Sequence, residues 1–284
     1  MITDVHHVGI AVRDLDEALA LFRDTLGLPC VKQGDMPARG VRVAMLAAGR
    51  SYLKVIQPVD ESSPFARSIA ERGQGLHHVA LWSTDVSADV ARLRDLGVPL
   101  EDREPRDGFT GRLSYLAASA FDGAQLEIVE PEAVLAGDNP EPALSAATAA
   151  VEGSGHITRI DHVVLRVPGV AAVSDHFAEW FGVPTKRTME RGEQAFAFMR
   201  PGDVVIEVIG PKSGGDLGSG RIAGLAFEVR EIDALTEQVR AKGYPIGEPH
   251  PALQGGRIVS MHPTGACGVP VAFIDFTGSP GPRK

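Results

Sequence analysis

The sequence predicts an α+β fold of four βαβββ modules paired into two tandem domains. Three observations predict it. Alternating apolar runs recur at residues 5–12, 75–82 and 160–167, with a fainter copy at 223–229, and such alternation marks a half-buried strand. A helix-period segment follows each run, at 14–26, 86–96, 170–181 and 232–242, and each ends at a glycine, Gly27, Gly97, Gly182 or Gly243. Three short strand-like runs then close the module. The last of them sets a residue at a nearly fixed distance from the opening position: 47 residues from His7 to Lys54, 49 from His78 to Glu127, 45 from His162 to Glu207 and 48 from Gly224 to Ala272. A unit that returns four times with one internal spacing is a structural repeat.

In the first strand Val8, Ile10 and Val12 share one face, which leaves His7, Gly9 and Ala11 on the other. A histidine beside two very small residues points to a face that lines a cavity, with the packed core behind it. His78, Ala80 and Trp82 repeat that arrangement. His6 and His77 face the opposite way by alternation and read as structural or interface residues. Asp14 is the N-cap of a helix that carries Leu15, Ala18, Leu21 and Phe22 on one side, and Gly27 stops it. Residues 41–46 and 52–58 are the clearest later strands of the first module, and 60–74 is a connector with a short helix at 64–72. The second module continues through a helix at 88–96 and strands near 112–116 and 124–129. Prolines and small residues mark 131–157 as a linker, with a brief helix at 143–151. The expected layout is a first domain at 1–130, the linker, a second domain at 158–277 and a frayed tail at 278–284.

A chain of 284 residues suits two domains of about 140. With 44% hydrophobic and 23% charged residues, the composition is that of a soluble globular protein. No apolar run approaches the ~20 residues that span a bilayer, and the N-terminus lacks the regions of a signal peptide, so a cytoplasmic protein with no membrane partner is expected. A net charge of −9 argues against nucleic acid and leaves a small molecule as the expected partner. Cys30 and Cys267 fall in different halves and suggest no disulfide framework.

If the first two modules pair about a pseudo-two-fold, their opening and closing strands bring His7, Lys54, His78 and Glu127 into one trough. Two imidazoles and a carboxylate from three strands form a set that leaves coordination positions open for water or substrate. One divalent transition metal, Co, Mn, Ni, Zn or Fe, suits it. The second half offers His162 and Glu207 against Gly224 and Ala272, a poor metal site that reads either as a remnant or as the lining of a second pocket. Arg106 and Arg112 are candidates to hold a substrate phosphate or carboxylate, and Tyr115 is a candidate proton donor.

The runs HHVGIAV, GLHHVALW and AQLEIVEP resemble the vicinal oxygen chelate superfamily, which includes glyoxalases, extradiol dioxygenases and bleomycin-resistance proteins. Within it, SPFARSIAERGQGLHHVAL and DREPRDGFTGR make the first half similar to methylmalonyl-CoA epimerase. The resemblance implies modules that pair into curved sheets around a divalent metal, and it carries the family's ligand positions onto His7, Lys54, His78 and Glu127. Lys54 departs from the family, which has Gln or Glu there. A protonated lysine donates no lone pair and is repelled by a dication. It therefore reads as a neutral amine and general base, as a side chain that swings away, or as a cation that replaces the metal.

The reading that follows is a metal-dependent epimerase or isomerase acting on a proton next to a carbonyl, in an acyl-CoA or other keto substrate, through a metal-stabilised enolate. His7, His78 and Glu127 hold the metal, and Lys54 and Glu127 are the catalytic candidates. Two other readings stand beside it: an Fe(II)-dependent dioxygenase built on the same triad, and a resistance-type protein that binds a small molecule without catalysis. A monomer or a homodimer suits either.

Overall fold

In a computed structural model the described residues are 1–132, 156–214 and 218–277. The expected linker helix at 143–151 and the tail at 278–284 lie outside them. The first module comprises β1 (Ile2–Ala11), α1 (Leu15–Phe22), β2 (Cys30–Met36), β3 (Val41–Ala48) and β4 (Ser51–Pro58). A connector helix, α2 (Pro64–Arg72), leads to the second module: β5 (Gly75–Ser83), α3 (Val86–Asp95), β6 (Arg106–Asp107), β7 (Gly111–Tyr115) and β8 (Gln125–Pro131). The third is β9 (Ile157–Arg166), α4 (Val170–Phe181), β10 (Thr185–Arg191), β11 (Gln194–Met199) and β12 (Val205–Pro211). The fourth is β13 (Arg221–Val229), α5 (Ile232–Ala241), β14 (His250–Pro251), β15 (Arg257–Met261) and β16 (Val271–Asp275).

Each half forms one eight-stranded mixed sheet, in the order β2-β3-β4-β1-β5-β8-β7-β6 and then β10-β11-β12-β9-β13-β16-β15-β14. The two orders are the same list shifted by eight strands, so the repeat seen in sequence is a repeat of topology. Hairpins within a module are antiparallel, whereas β5 and β8, β9 and β12, and β13 and β16 run parallel. A parallel neighbour needs a crossover, and the module's helix supplies it. The glycine after each helix has positive φ, from 68° at Gly182 to 82° at Gly243, with Gly27 and Gly97 between, which is why the same residue type returns there.

Asp14 caps α1 by accepting the amides of Asp16 and Glu17. The helix stops at Phe22, short of the expected 26, and a turn runs on to Gly27. α4 buries Val170, Val173, Phe177, Trp180 and Phe181 on one stripe, the spacing of an amphipathic helix on a sheet.

By packing, the described residues fall into two compact units. One holds residues 1–8, 78–132 and 162–223; the other holds 9–77, 156–161 and 224–277. Each unit therefore takes residues from both halves of the sequence. In the first, Phe121 packs against Phe177, Trp180 and Phe181 of α4, and Asp4 accepts the Asp203 amide at 3.0 Å. In the second, Gln238 of α5 donates to the Thr25 carbonyl at 2.6 Å. No helix among the described residues is long and apolar enough to cross a membrane.

Candidate metal centre

β1, β5 and β8 place three donors together in the first unit. Parallel pairing sets Ala80 opposite Glu127, and antiparallel pairing sets Tyr115 of β7 opposite the same residue. Tyr115, Glu127 and Ala80 thus form a row across three strands, and the methyl of Ala80 leaves room beside the carboxylate. His7 Nε2 lies 3.1 Å from His78 Nε2. Glu127 Oε1 is 3.6 Å from His7 Nε2, and Oε2 is 3.5 Å from His78 Nε2. All three side chains are fully buried.

Those separations test the fit of a metal. Charge-assisted N–H···O bonds shorten to about 2.7–2.9 Å, and the contacts to Glu127 are longer. Metal–ligand bonds of about 2.1 Å put neighbouring donor atoms about 3.0 Å apart in octahedral and about 3.4 Å apart in tetrahedral coordination. The two imidazole nitrogens have that spacing, and each has its own Glu127 oxygen slightly farther off, Oε1 for His7 and Oε2 for His78. Two neutral imidazoles and one carboxylate are also the donor types that divalent first-row metals accept. The residues fit the ion.

Tyr115 joins this group: its hydroxyl lies 3.4 Å from His78 Nε2, and its ring packs with Ala80, Leu113 and Val129. Burial first, and then the Glu127 carboxylate, hold its phenol well above the ordinary tyrosine range, so it stays protonated and able to donate. Arg106 lies over the Tyr115 ring, 5.5 Å from its centroid, and bonds Asp102 at 2.9 Å. Arg112 is not brought to the site. Alternation along β7 turns it to the α3 side, where it reaches Ser87 at 3.1 Å on the exposed surface. Lys54 is buried in β4 opposite Met45. Burial, Arg72 and Lys54 together lower the His77 pKa to about 4, and the His77 ring rests on Phe65 of α2 at 4.6 Å.

In the second half His162 Nε2 and Glu207 Oε2 are 3.9 Å apart, with side chains 15% and 20% exposed. This pair is more open than its counterpart. His6, which alternation reads as a structural or interface residue, is fully buried; its Nδ1 is 2.8 Å from His7 Nδ1, and its ring meets Trp82 edge-on at 5.5 Å.

Residues 6–115 and again residues 159–273 match the family profile of the glyoxalase/bleomycin resistance protein/dioxygenase superfamily. The chain belongs to that superfamily. Its two domains are tandem vicinal-oxygen-chelate domains, as the resemblance implied. An uncharacterized Bacillus subtilis protein, YqjC, is 33% identical over 127 residues, which is 44% of this chain and 91% of that protein. The ethylmalonyl-CoA/methylmalonyl-CoA epimerase of Cereibacter sphaeroides is 32% identical over 131 residues, 45% of this chain and 98% of the epimerase. Epimerase relatives of this kind match the first half. A variant of 4-hydroxymandelate synthase from Streptomyces coelicolor superposes on 99% of the chain and 94% of its own, with a TM-score of 0.70 at 17% identity. That last likeness is one of fold.

Proposed function

We propose that the first half of the chain is a metal-dependent epimerase or isomerase that moves a proton on the carbon next to a carbonyl, with an acyl-CoA thioester as substrate. The observation that carries this reading is the convergence of buried His7, His78 and Glu127 at coordination spacing, in the half that is similar to acyl-CoA epimerases.

His7 and His78 would hold a divalent ion through their Nε2 atoms, and Glu127 through its carboxylate. Held there, such an ion would supply Lewis-acid stabilisation of the negative charge on a substrate carbonyl oxygen. Tyr115 keeps its proton and offers it as a hydrogen bond at the edge of the donor set. Full burial of the three donors excludes bulk water, which strengthens each electrostatic interaction there.

Elemental analysis of protein purified without a metal-affinity tag tests the site. About one equivalent of transition metal per chain is expected in the wild type, and its loss in His78→Ala. Exchange of the α-proton of methylmalonyl-CoA with solvent deuterium, followed by NMR, tests the reaction. Iron with oxygen consumption and no exchange would replace this reading by an oxygenase built on the same triad. Failure to take up any divalent metal would sink both.

A further inference from the structure

His6 and His7 are sequence neighbours whose side chains a regular strand sends to opposite faces, yet their Nδ1 atoms lie 2.8 Å apart. Both rings are fully buried. Two ring nitrogens at that distance share one proton, so one imidazole donates and the other accepts. A neutral imidazole carries a single N–H. For His7 Nε2 to present a lone pair, the His7 proton must sit on Nδ1, and in the metal-free protein His78 Nε2, 3.1 Å away, then donates to His7 Nε2. His6 Nδ1 must then be the acceptor, and the His6 proton must sit on its Nε2. The edge-on contacts of the His6 ring with His7, at 5.1 Å and 82°, and with Trp82, at 5.5 Å and 85°, hold that orientation.

We propose that His6 is a positioning residue that fixes the tautomer of His7 and thereby readies the metal centre. The proposal rests on the reading of His7, His78 and Glu127 as ligands. A metal-bound histidine usually donates its second N–H to a carboxylate, a backbone carbonyl or water. An imidazole acceptor adds no negative charge. Glu127 is then the one anionic group of the set, and a divalent ion keeps net positive charge to place on a substrate oxygen.

The test uses the full-length protein in two states. In the metal-free wild type, long-range 15N–1H correlation reads the protonated nitrogen of each histidine. The expected result is Nδ1–H for His7 and Nε2–H for His6. His6→Asn keeps an acceptor oxygen near the position of Nδ1 and retains the His7 tautomer. His6→Phe and His6→Ala remove the acceptor and shift His7 toward Nε2–H. Cobalt(II) titration, read by its visible absorption, is expected to weaken by about 10–100-fold in His6→Phe, the size of an outer-shell effect, and to be largely rescued in His6→Asn.

Nε2–H on His7 in the wild type overturns the proposal without any variant. So does a His7 tautomer that stays put in a folded His6→Phe or His6→Ala protein. A wild type that binds no cobalt overturns the metal reading instead, and the tautomer measurement then still decides whether His6 orients His7.

Discussion

At the scale of single residues, the site sets packing against chemistry. The Tyr115 ring fills a cluster with Ala80, Leu113 and Val129 while its hydroxyl meets His78. Tyr115→Phe keeps the cluster and removes the proton, so it is expected to slow α-proton exchange by about 100-fold with metal content unchanged. A rate within about twofold of wild type would assign the ring to packing alone. Asp4 makes a second residue-scale case. Burial raises its pKa above the ordinary carboxylate value, against the backbone hydrogen bonds that lower it. A carboxyl whose folded pKa is raised contributes stability below about pH 3.9 and loses it as pH rises through the folded value. Asp4→Asn is therefore expected to be more stable than wild type at pH 7. Urea midpoints should show that gap closing as pH falls toward 3; a gap that widens in acid would reverse the sign.

At the scale of elements, the modules share a plan and differ in what covers it. Each helix closes a parallel crossover, and α1 begins where Asp14 can accept two amides. Asp14→Ala is expected to cost about 1 kcal/mol, read as a lower urea midpoint with an unchanged slope. In the first half the connector at 59–74 carries α2, which lies on β4 and places Phe65 on His77. The corresponding stretch of the second half, 212–220, is shorter. On the third module, His162, Val164, Phe196, Phe198, Glu207 and Ile209 remain half-buried on one face, whereas the matching strands β1 and β4 are buried on both.

At the scale of the whole molecule, the two halves of the sequence are interlocked inside each compact unit. A Cβ on Gly202 would come 2.2 Å from Asp4 Cγ, and one on Gly268, at φ +79°, would come 1.9 Å from the Gln74 carbonyl oxygen. Both contacts join the first half of the chain to the second. Gly268→Ala is expected to cost more than about 1 kcal/mol, from overpacking added to an unfavourable φ. A fragment ending at residue 132 leaves Phe121 without the α4 rings. It is expected to unfold at lower urea than the full chain and to regain stability when residues 156–277 are added in trans. A fragment as stable as the full chain would show the halves to be independent.

The modules and their number can be read from the chain alone, because strand alternation, helix period, glycine turns and one fixed spacing are local quantities that survive without a tertiary frame. His7, His78 and Glu127 were legible for that reason: each occupies a repeated register position beside small or apolar neighbours. Folding set which side chains meet. It turned Arg112 toward α3, set Tyr115 opposite Glu127, and brought the His6 ring to within hydrogen-bond distance of His7. It also joined pieces of both halves into each unit. Such contacts depend on the pairing of strands far apart in the chain and on ring orientations within a packed interior, and no local periodicity encodes either.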